Sequence, residues 1–284
     1  MIPASFRYQR AQTLAEALAL LSASSGETKI MAGGHSLLPL MKLRLARPET
    51  VIDIGRIREL DGIVVGDDTV TIKAATRYRE VQAHPEIRRA FGGLVETIGQ
   101  IADPQVRNRG TLGGSVAHAD PSADLPAFLL AAEATCRVMS AEAERTVSID
   151  EWFIAPLVSA LAEREILVAI ELSRKLPAKQ TYLKFPHPAS GYALAGVAAL
   201  WDQTPEGRIE RVRIGVTGAG TLPFRATGAE ALLTGQVVTP ETIRQAAVRG
   251  AEDGQYASDV FYSAEYRHHL ATVMIERALQ KLME

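Results

Sequence analysis

The chain has 284 residues, 47% of them hydrophobic and 23% charged. At about 150 residues per domain, this length gives about two domains, each with its own core, and the composition excludes long disorder and collagen-like repeats. Lys plus Arg (31) against Asp plus Glu (33) leaves a net charge of -2, so no global basic field recruits nucleic acid or an anionic membrane.

Thr13-Leu14-Ala15-Glu16 has the form of a capping box, and Leu14, Leu18 and Leu21 follow at helical spacing up to Gly26. A short strand is expected at residues 29–32, ending in Gly33-Gly34-His35-Ser36, with a loop and short helix over residues 37–42. Residues 50–54 read as a strand. Residues 62–65 and 70–74 pair as a hairpin across Gly66-Asp67-Asp68. Helical patterns cover 77–83 and 86–101, interrupted at Gly92-Gly93. Residues 103–110 have no apolar period and are expected to be loop. A second glycine turn at 111–115 precedes Asp124, read as the N-cap of a helix through Leu130.

Strands are expected at 135–140 and 166–170, and the polar, proline-marked stretch Ser173 to Lys179 places a domain boundary near residue 175. Beyond it, strands are expected at 182–185, 193–201 and 211–216. Thr239-Pro240 starts one helix, and Ala264 to Leu282 forms a long final one. Strands first and helices last imply α+β rather than a doubly wound sheet.

Two glycine pairs stand out chemically. Ala32-Gly33-Gly34-His35-Ser36 places two residues without Cβ atoms directly after a strand, where backbone N–H groups can approach an anion closely. Thr111-Leu112-Gly113-Gly114-Ser115 repeats the theme with hydroxyls at Thr111 and Ser115. Neither ends in the Gly-Lys-Ser/Thr of a nucleotide-hydrolysing P-loop. Gly218-Ala219-Gly220 imitates a dinucleotide fingerprint, but Pro223 occupies the third glycine position, so it reads as a loop. His35 is read as a loop histidine, and Arg107, Asn108 and Arg109 carry no assigned role.

The single cysteine, Cys136, reads as a buried structural thiol. One thiol excludes an internal disulfide, a thiolate zinc site and an iron-sulfur cluster held by this chain alone, which needs about four ligands. The six histidines show no HExxH spacing, so no metal site is expected. No stretch approaches the roughly 20 apolar residues of a membrane span, and Met1 to Phe6 lack a basic segment followed by an apolar one, so the expected compartment is the cytoplasm.

Residues 32–42, 104–115 and 120–126, with Tyr182-Leu183-Lys184-Phe185-Pro186-His187-Pro188 and Gly191-Tyr192-Ala193-Leu194-Ala195, resemble the FAD-binding medium subunit of molybdenum hydroxylases. The likeness is to the carbon monoxide dehydrogenase medium-subunit type, related to the flavin domain of xanthine dehydrogenase, and runs nearly end to end. It implies a PCMH-type FAD-binding domain of two small α/β subdomains over residues 1–175. A C-terminal flavoprotein domain over 176–284, with a three-stranded antiparallel sheet and helices, would follow. By this resemblance the backbone of Ile30, Met31, Ala32, Gly33, Gly34, His35, Ser36 and Leu37, with Thr111, Gly113, Gly114 and Ser115, holds the FAD pyrophosphate. Asp124 and Lys184 would contact polar parts of the flavin nucleotide, Leu167 would make an apolar contact, Tyr192 would cover the isoalloxazine region, and Ile101 would be a neighbour.

The resemblance further implies an electron relay from partner iron-sulfur clusters through FAD to an external acceptor, with no acid-base residue of its own. The implied partners are a large molybdopterin-binding subunit and a small [2Fe-2S] subunit, assembled as a dimer of heterotrimers. Two departures stand in the sequence: Ser115 where many relatives carry Asn, and His187-Pro188 in a segment that is often basic. Two alternatives stay open, a stand-alone flavin oxidase with FAD linked at His35 and a flavin-free binding or assembly protein of the same fold.

Overall fold

The computed structural model describes residues 2–284. The first elements are β1 (Arg7–Arg10), α1 (Leu14–Ala23), β2 (Thr28–Met31), α2 (Leu37–Lys42) and β3 (Thr50–Asp53), with the strands forming a parallel sheet in the order β1-β3-β2. Helix α1 buries Ala17, Leu18 and Leu21 against Ile52, Ile54 and Ile57. Its cap is half of the expected box: Glu16 N–H donates to Thr13 Oγ1, but the Glu16 carboxylate accepts from Gln12 N–H, one residue earlier than the motif requires. Strand β1, polar and only four residues long, has no apolar alternation to reveal it in the sequence.

The second layer contains β4 (Ile63–Val65), β5 (Thr69–Lys73), α3 (Tyr78–Ala83), α4 (Pro85–Ala90), α5 (Gly92–Gly99), α6 (Pro104–Arg107), α7 (Leu112–His118) and α8 (Leu125–Ala131). It continues with β6 (Thr135–Met139), β7 (Glu144–Ser148), the small hairpin β8 (Phe153–Ala155) and β9 (Val158–Ser159), and β10 (Ile166–Ser173). The larger sheet is antiparallel, in the order β4-β5-β10-β6-β7. Strand β10 lies in the middle of it. Alternate residues enter two cores, Leu167 and Ile170 one, Ile166 and Val168 the other, so this strand reads as an unbroken apolar run.

Two expectations are corrected here. Residues 103–110 are not wholly loop: Asp103 accepts a hydrogen bond from Val106 N–H and Pro104 supplies a preset φ, which closes the single turn α6. The second glycine pair is no free turn either, because Gly113 and Gly114 lie in the first turn of α7, capped by Thr111.

The C-terminal part contains β11 (Lys179–Pro186), β12 (Ala193–Gln203), β13 (Ile209–Thr217) and β14 (Phe224–Arg225), followed by α9 (Thr227–Leu233), α10 (Pro240–Ala251) and α11 (Ala264–Met283). Three long antiparallel strands form the expected sheet, and the two-residue β14 extends its edge. Val197, Ala199 and Trp201 of β12 pack toward α9, α10 and α11, while Ala198 and Leu200 join the core of the second layer. Tyr182 takes that same inner side of the sheet. The two-sided burial explains why Ala193 to Trp201 is apolar throughout. Among the described residues, no helix is long and apolar enough to cross a membrane.

Candidate functional site

The turn after β2 carries the densest set of free backbone donors. Gly34 has φ +76°, a left-handed conformation that glycine adopts without a Cβ penalty. A Cβ on Gly33 would lie 2.2 Å from Arg109 O and 2.9 Å from the Gly110 Cα, so the turn sits directly on the backbone that leads into α7. The N–H groups of Gly33, Gly34, His35, Ser36 and Leu37 donate to no acceptor among the described residues, and Ser36 makes no side-chain cap to α2. Five successive free N–H groups at a glycine turn have the donor chemistry of an anion cradle, and a dinucleotide diphosphate, which needs several donors and close backbone approach, is the kind of group such a cradle would take.

Helix α7 lies against the cradle but contributes differently. Leu112 N–H donates to Thr76 O and Gly113 N–H to Ala74 O, both at 3.0 Å, while Gly114 N–H is capped by Thr111 Oγ1 at 3.1 Å. These donors are already used, so the first turn of α7 supplies shape and the Ser115 side chain rather than a row of free amides. Gly113 packs too closely on Ala74 for any side chain, and the Cβ position of Gly114 is 4.0 Å from Ala32 Cβ.

The opposite wall is made of side chains. Asp124 is buried and stands at the expected N-cap position of α8, but with helical φ and ψ and no side-chain cap bond. Its carboxylate turns instead to β11, where Tyr182 Oη donates to Oδ1 at 2.7 Å and Lys184 Nζ lies 2.9 Å from Oδ1 and 3.1 Å from Oδ2. Lys184 also donates to Gln100 O at 3.0 Å. The Lys184 and Asp124 side chains are only 4% and 6% exposed. Burial pushes the Asp124 carboxyl up, and Lys184 and Tyr182 pull it back.

Tyr78 and Tyr192 connect the two walls. The Tyr78 phenol is raised by burial first of all, with Ser115 acting against the rise and Asp124 and Tyr192 adding to it. Tyr192 is 45% exposed, and its phenol is raised by partial burial and then by Asp120 and Asp124. Its loop is fixed by His187 N–H donating to Tyr192 O, and Ala193 N–H donates to Ser122 O. Ile101 is half-buried beside the second-layer core, and its carbonyl accepts from Arg107, which gives that unassigned arginine a loop-holding role. His35 is exposed, with Nδ1 3.0 Å from Gly33 O.

Residues 32–37 and 109–114 are thus packed against one another, and Asp124 and Lys184 form a nearly inaccessible pair beside the half-exposed Tyr192. Leu167 does not join them openly, since it is 4% exposed and packed in the core of the second sheet. Tyr78, Tyr182 and Gln100 are the site residues that sequence reasoning missed. Tyr182 and Lys184, two apart on one strand, carried the signal for a shared face. Cys136 is buried and its thiol is pushed up to about 12, an inert core residue as expected.

Comparison with known proteins matches residues 4–174 to the family described as FAD binding domain in molybdopterin dehydrogenase and residues 180–282 to the CO dehydrogenase flavoprotein C-terminal domain. The carbon monoxide dehydrogenase medium chain of Hydrogenophaga pseudoflava is 36% identical over 280 residues, covering 98% of this chain and 97% of the relative. The nicotine 6-hydroxylase medium subunit of Paenarthrobacter nicotinovorans is 36% identical over 275 residues, covering 97% and 96%. Among solved structures, carbon monoxide dehydrogenase from Hydrogenophaga pseudoflava superposes with a TM-score of 0.94 at 38% identity, covering 100% of this chain and 99% of that one.

Proposed function

Because this chain belongs to the family of FAD-binding flavoproteins of molybdopterin dehydrogenases, we propose that it is the FAD-carrying electron-transfer subunit of a molybdenum hydroxylase. In this reading electrons reach the flavin from iron-sulfur clusters on a small partner, and a large partner holds molybdopterin and selects the substrate. Relatives named for carbon monoxide, nicotine and caffeine align over nearly the whole chain, which supports assigning substrate choice to the partner. The proposed assembly is a dimer of heterotrimers, and the proposed compartment is the cytoplasm. The boundary between the FAD-binding part and the C-terminal part is proposed near residue 175, between β10 and β11.

The observation that carries the reading is the run of free N–H groups at residues 33–37, with the buried Asp124–Lys184 pair as its companion feature. The cradle would hold the FAD diphosphate, with Ile30, Met31 and Ala32 supporting the turn and Thr111, Gly113, Gly114 and Ser115 forming its second side. Asp124 Oδ2 keeps acceptor capacity beyond its contact with Lys184 and would orient a polar flavin edge. Ile101 and Tyr192 would bound the ring system on its apolar faces, with Leu167 packed in the core that supports them. Bound FAD supplies the reversible electron acceptance, and the chain's residues position it and exclude water.

The test is the visible spectrum of the purified chain, alone and with added FAD, followed by acid precipitation. About one FAD per chain, fully released by acid, is expected for a noncovalent flavoprotein. Flavin retained in the precipitate would instead support the linked oxidase at His35, and a colourless chain that takes up no FAD would overturn the flavin reading.

A further inference from the structure

Tyr182 belongs to none of the glycine turns, yet its ring is fully buried and its hydroxyl has one partner, Asp124 Oδ1 at 2.7 Å. Space for that hydroxyl is made from the neighbouring strand. A Cβ on Gly196, the residue that pairs with Lys184, would lie 2.3 Å from Tyr182 Oη. The backbone of Tyr182 is anchored independently of the hydroxyl. Its N–H donates to Glu96 Oε2 at 2.9 Å, its carbonyl accepts from Gln100 Nε2 at 3.3 Å, and Glu96 is itself held by Lys281.

We infer that Tyr182 is a positioning residue whose hydroxyl holds Asp124 in the ionised, Lys184-paired state that the site uses, and thereby sets the acid limit at which the chain keeps FAD. The inference rests on the flavin reading above. A hydrogen bond donated to a carboxylate favours its charged form, and burial opposes that form, so each donor matters more here than at the surface. The groups facing Asp124 are Tyr182 and Lys184 from β11, Tyr78 from α3 and Tyr192 from the loop before β12, with Asp120 beside Tyr192. Tyr78 and Tyr192 are raised phenols and stay neutral. Tyr182 and Lys184 are therefore the side chains that stabilise the charge, with a backbone N–H adding to them.

The experiment measures FAD affinity of the full chain by quenching of flavin fluorescence, from neutral to acid pH, for wild type, Tyr182→Phe, Asp124→Asn and the double variant. Tyr182→Phe is expected to lose FAD about one pH unit higher than wild type on acidification, equivalent to about tenfold weaker binding at the wild-type midpoint. Asp124→Asn is expected to bind more weakly with no acid midpoint, and adding Tyr182→Phe to it to change nothing further. Gly196→Ala, whose methyl would lie 2.3 Å from the hydroxyl and push the ring and hydroxyl away from Asp124 without altering the tyrosine itself, should shift the midpoint in the same direction as an independent check on Tyr182→Phe. An unshifted midpoint in both variants, or an equal affinity loss in the Asn background, overturns the inference while leaving the flavin reading intact. A wild-type chain that takes up no FAD overturns both.

Discussion

The turn at residues 33–37 offers backbone N–H groups that no atom of the described residues takes, whereas the wall of Asp124, Lys184 and Tyr182 offers side chains whose polar atoms are mostly spent on one another. The first region is local, built within a few residues after β2 and made possible by glycine. The second joins the start of α8 to β11 across about sixty positions of sequence and is buried. A free, half-exposed cradle would suit a charge that arrives with its own counterions. A buried pair must hold its charges before anything binds, because an unpartnered charge in a core is costly. Binding and preorganisation are thus divided between backbone and side chains.

The sharpest way to separate the two regions is Lys184→Met. Removing the ammonium strands the Asp124 carboxylate in a site where both partners are nearly inaccessible, and a loss of about 3–5 kcal/mol is expected in urea or thermal unfolding. This penalty depends on pH in a fixed direction. Burial already raises Asp124 above its ordinary value of 3.8, and losing Lys184 raises it further. The penalty is therefore full above the folded pKa and fades as pH falls through it toward the unfolded value. A deficit that is flat with pH would mean that Asp124 is not the group left behind. Asp124→Asn combined with Lys184→Met should recover much of the stability.

Gly33→Ala probes the cradle and should show the opposite balance. The new methyl would meet Arg109 O at 2.2 Å, and backbone must shift to admit it. A loss of about 1–3 kcal/mol is expected from the overpacking, together with at least tenfold weaker FAD binding, roughly the effect of one good contact. Unchanged flavin affinity in a folded variant would remove residues 33–37 from the site. Thr111→Ala is the mildest change. It deletes the cap on Gly114 N–H and should cost about 1 kcal/mol in unfolding, with a smaller loss of FAD affinity than Gly33→Ala gives, because the Leu112 and Gly113 amides stay bonded within the protein.

How readily each part could be found follows the same division. The strand, glycine turn and short helix at 29–42 were legible because the apolar run and the glycines are contiguous, and the C-terminal order of strands then helices was legible from alternation and caps. Strand β1 was not, being four polar-patterned residues that pair in parallel with β3. The turn α6 was missed because one turn of helix carries no period, and only the Asp103 cap and Pro104 marked it. The position of Asp124 at the start of α8 was legible from Leu125-Pro126, but the use of its carboxylate was not, because β11 delivers a phenol and an ammonium to it in place of a cap bond.

By itself the amino-acid sequence determined the class of fold, the two glycine-rich segments and the absence of any cluster-holding thiol set, since these depend on local spacing, on the missing Cβ of glycine and on counting residues. Tertiary structure alone decided which amides remain free, why the second glycine pair is a helix start rather than a turn, and that Tyr182 and Lys184 converge on Asp124. Hydrogen-bond partners are assigned by distance in space, and a strand's two-residue period says which side chains share a face but not what that face will meet.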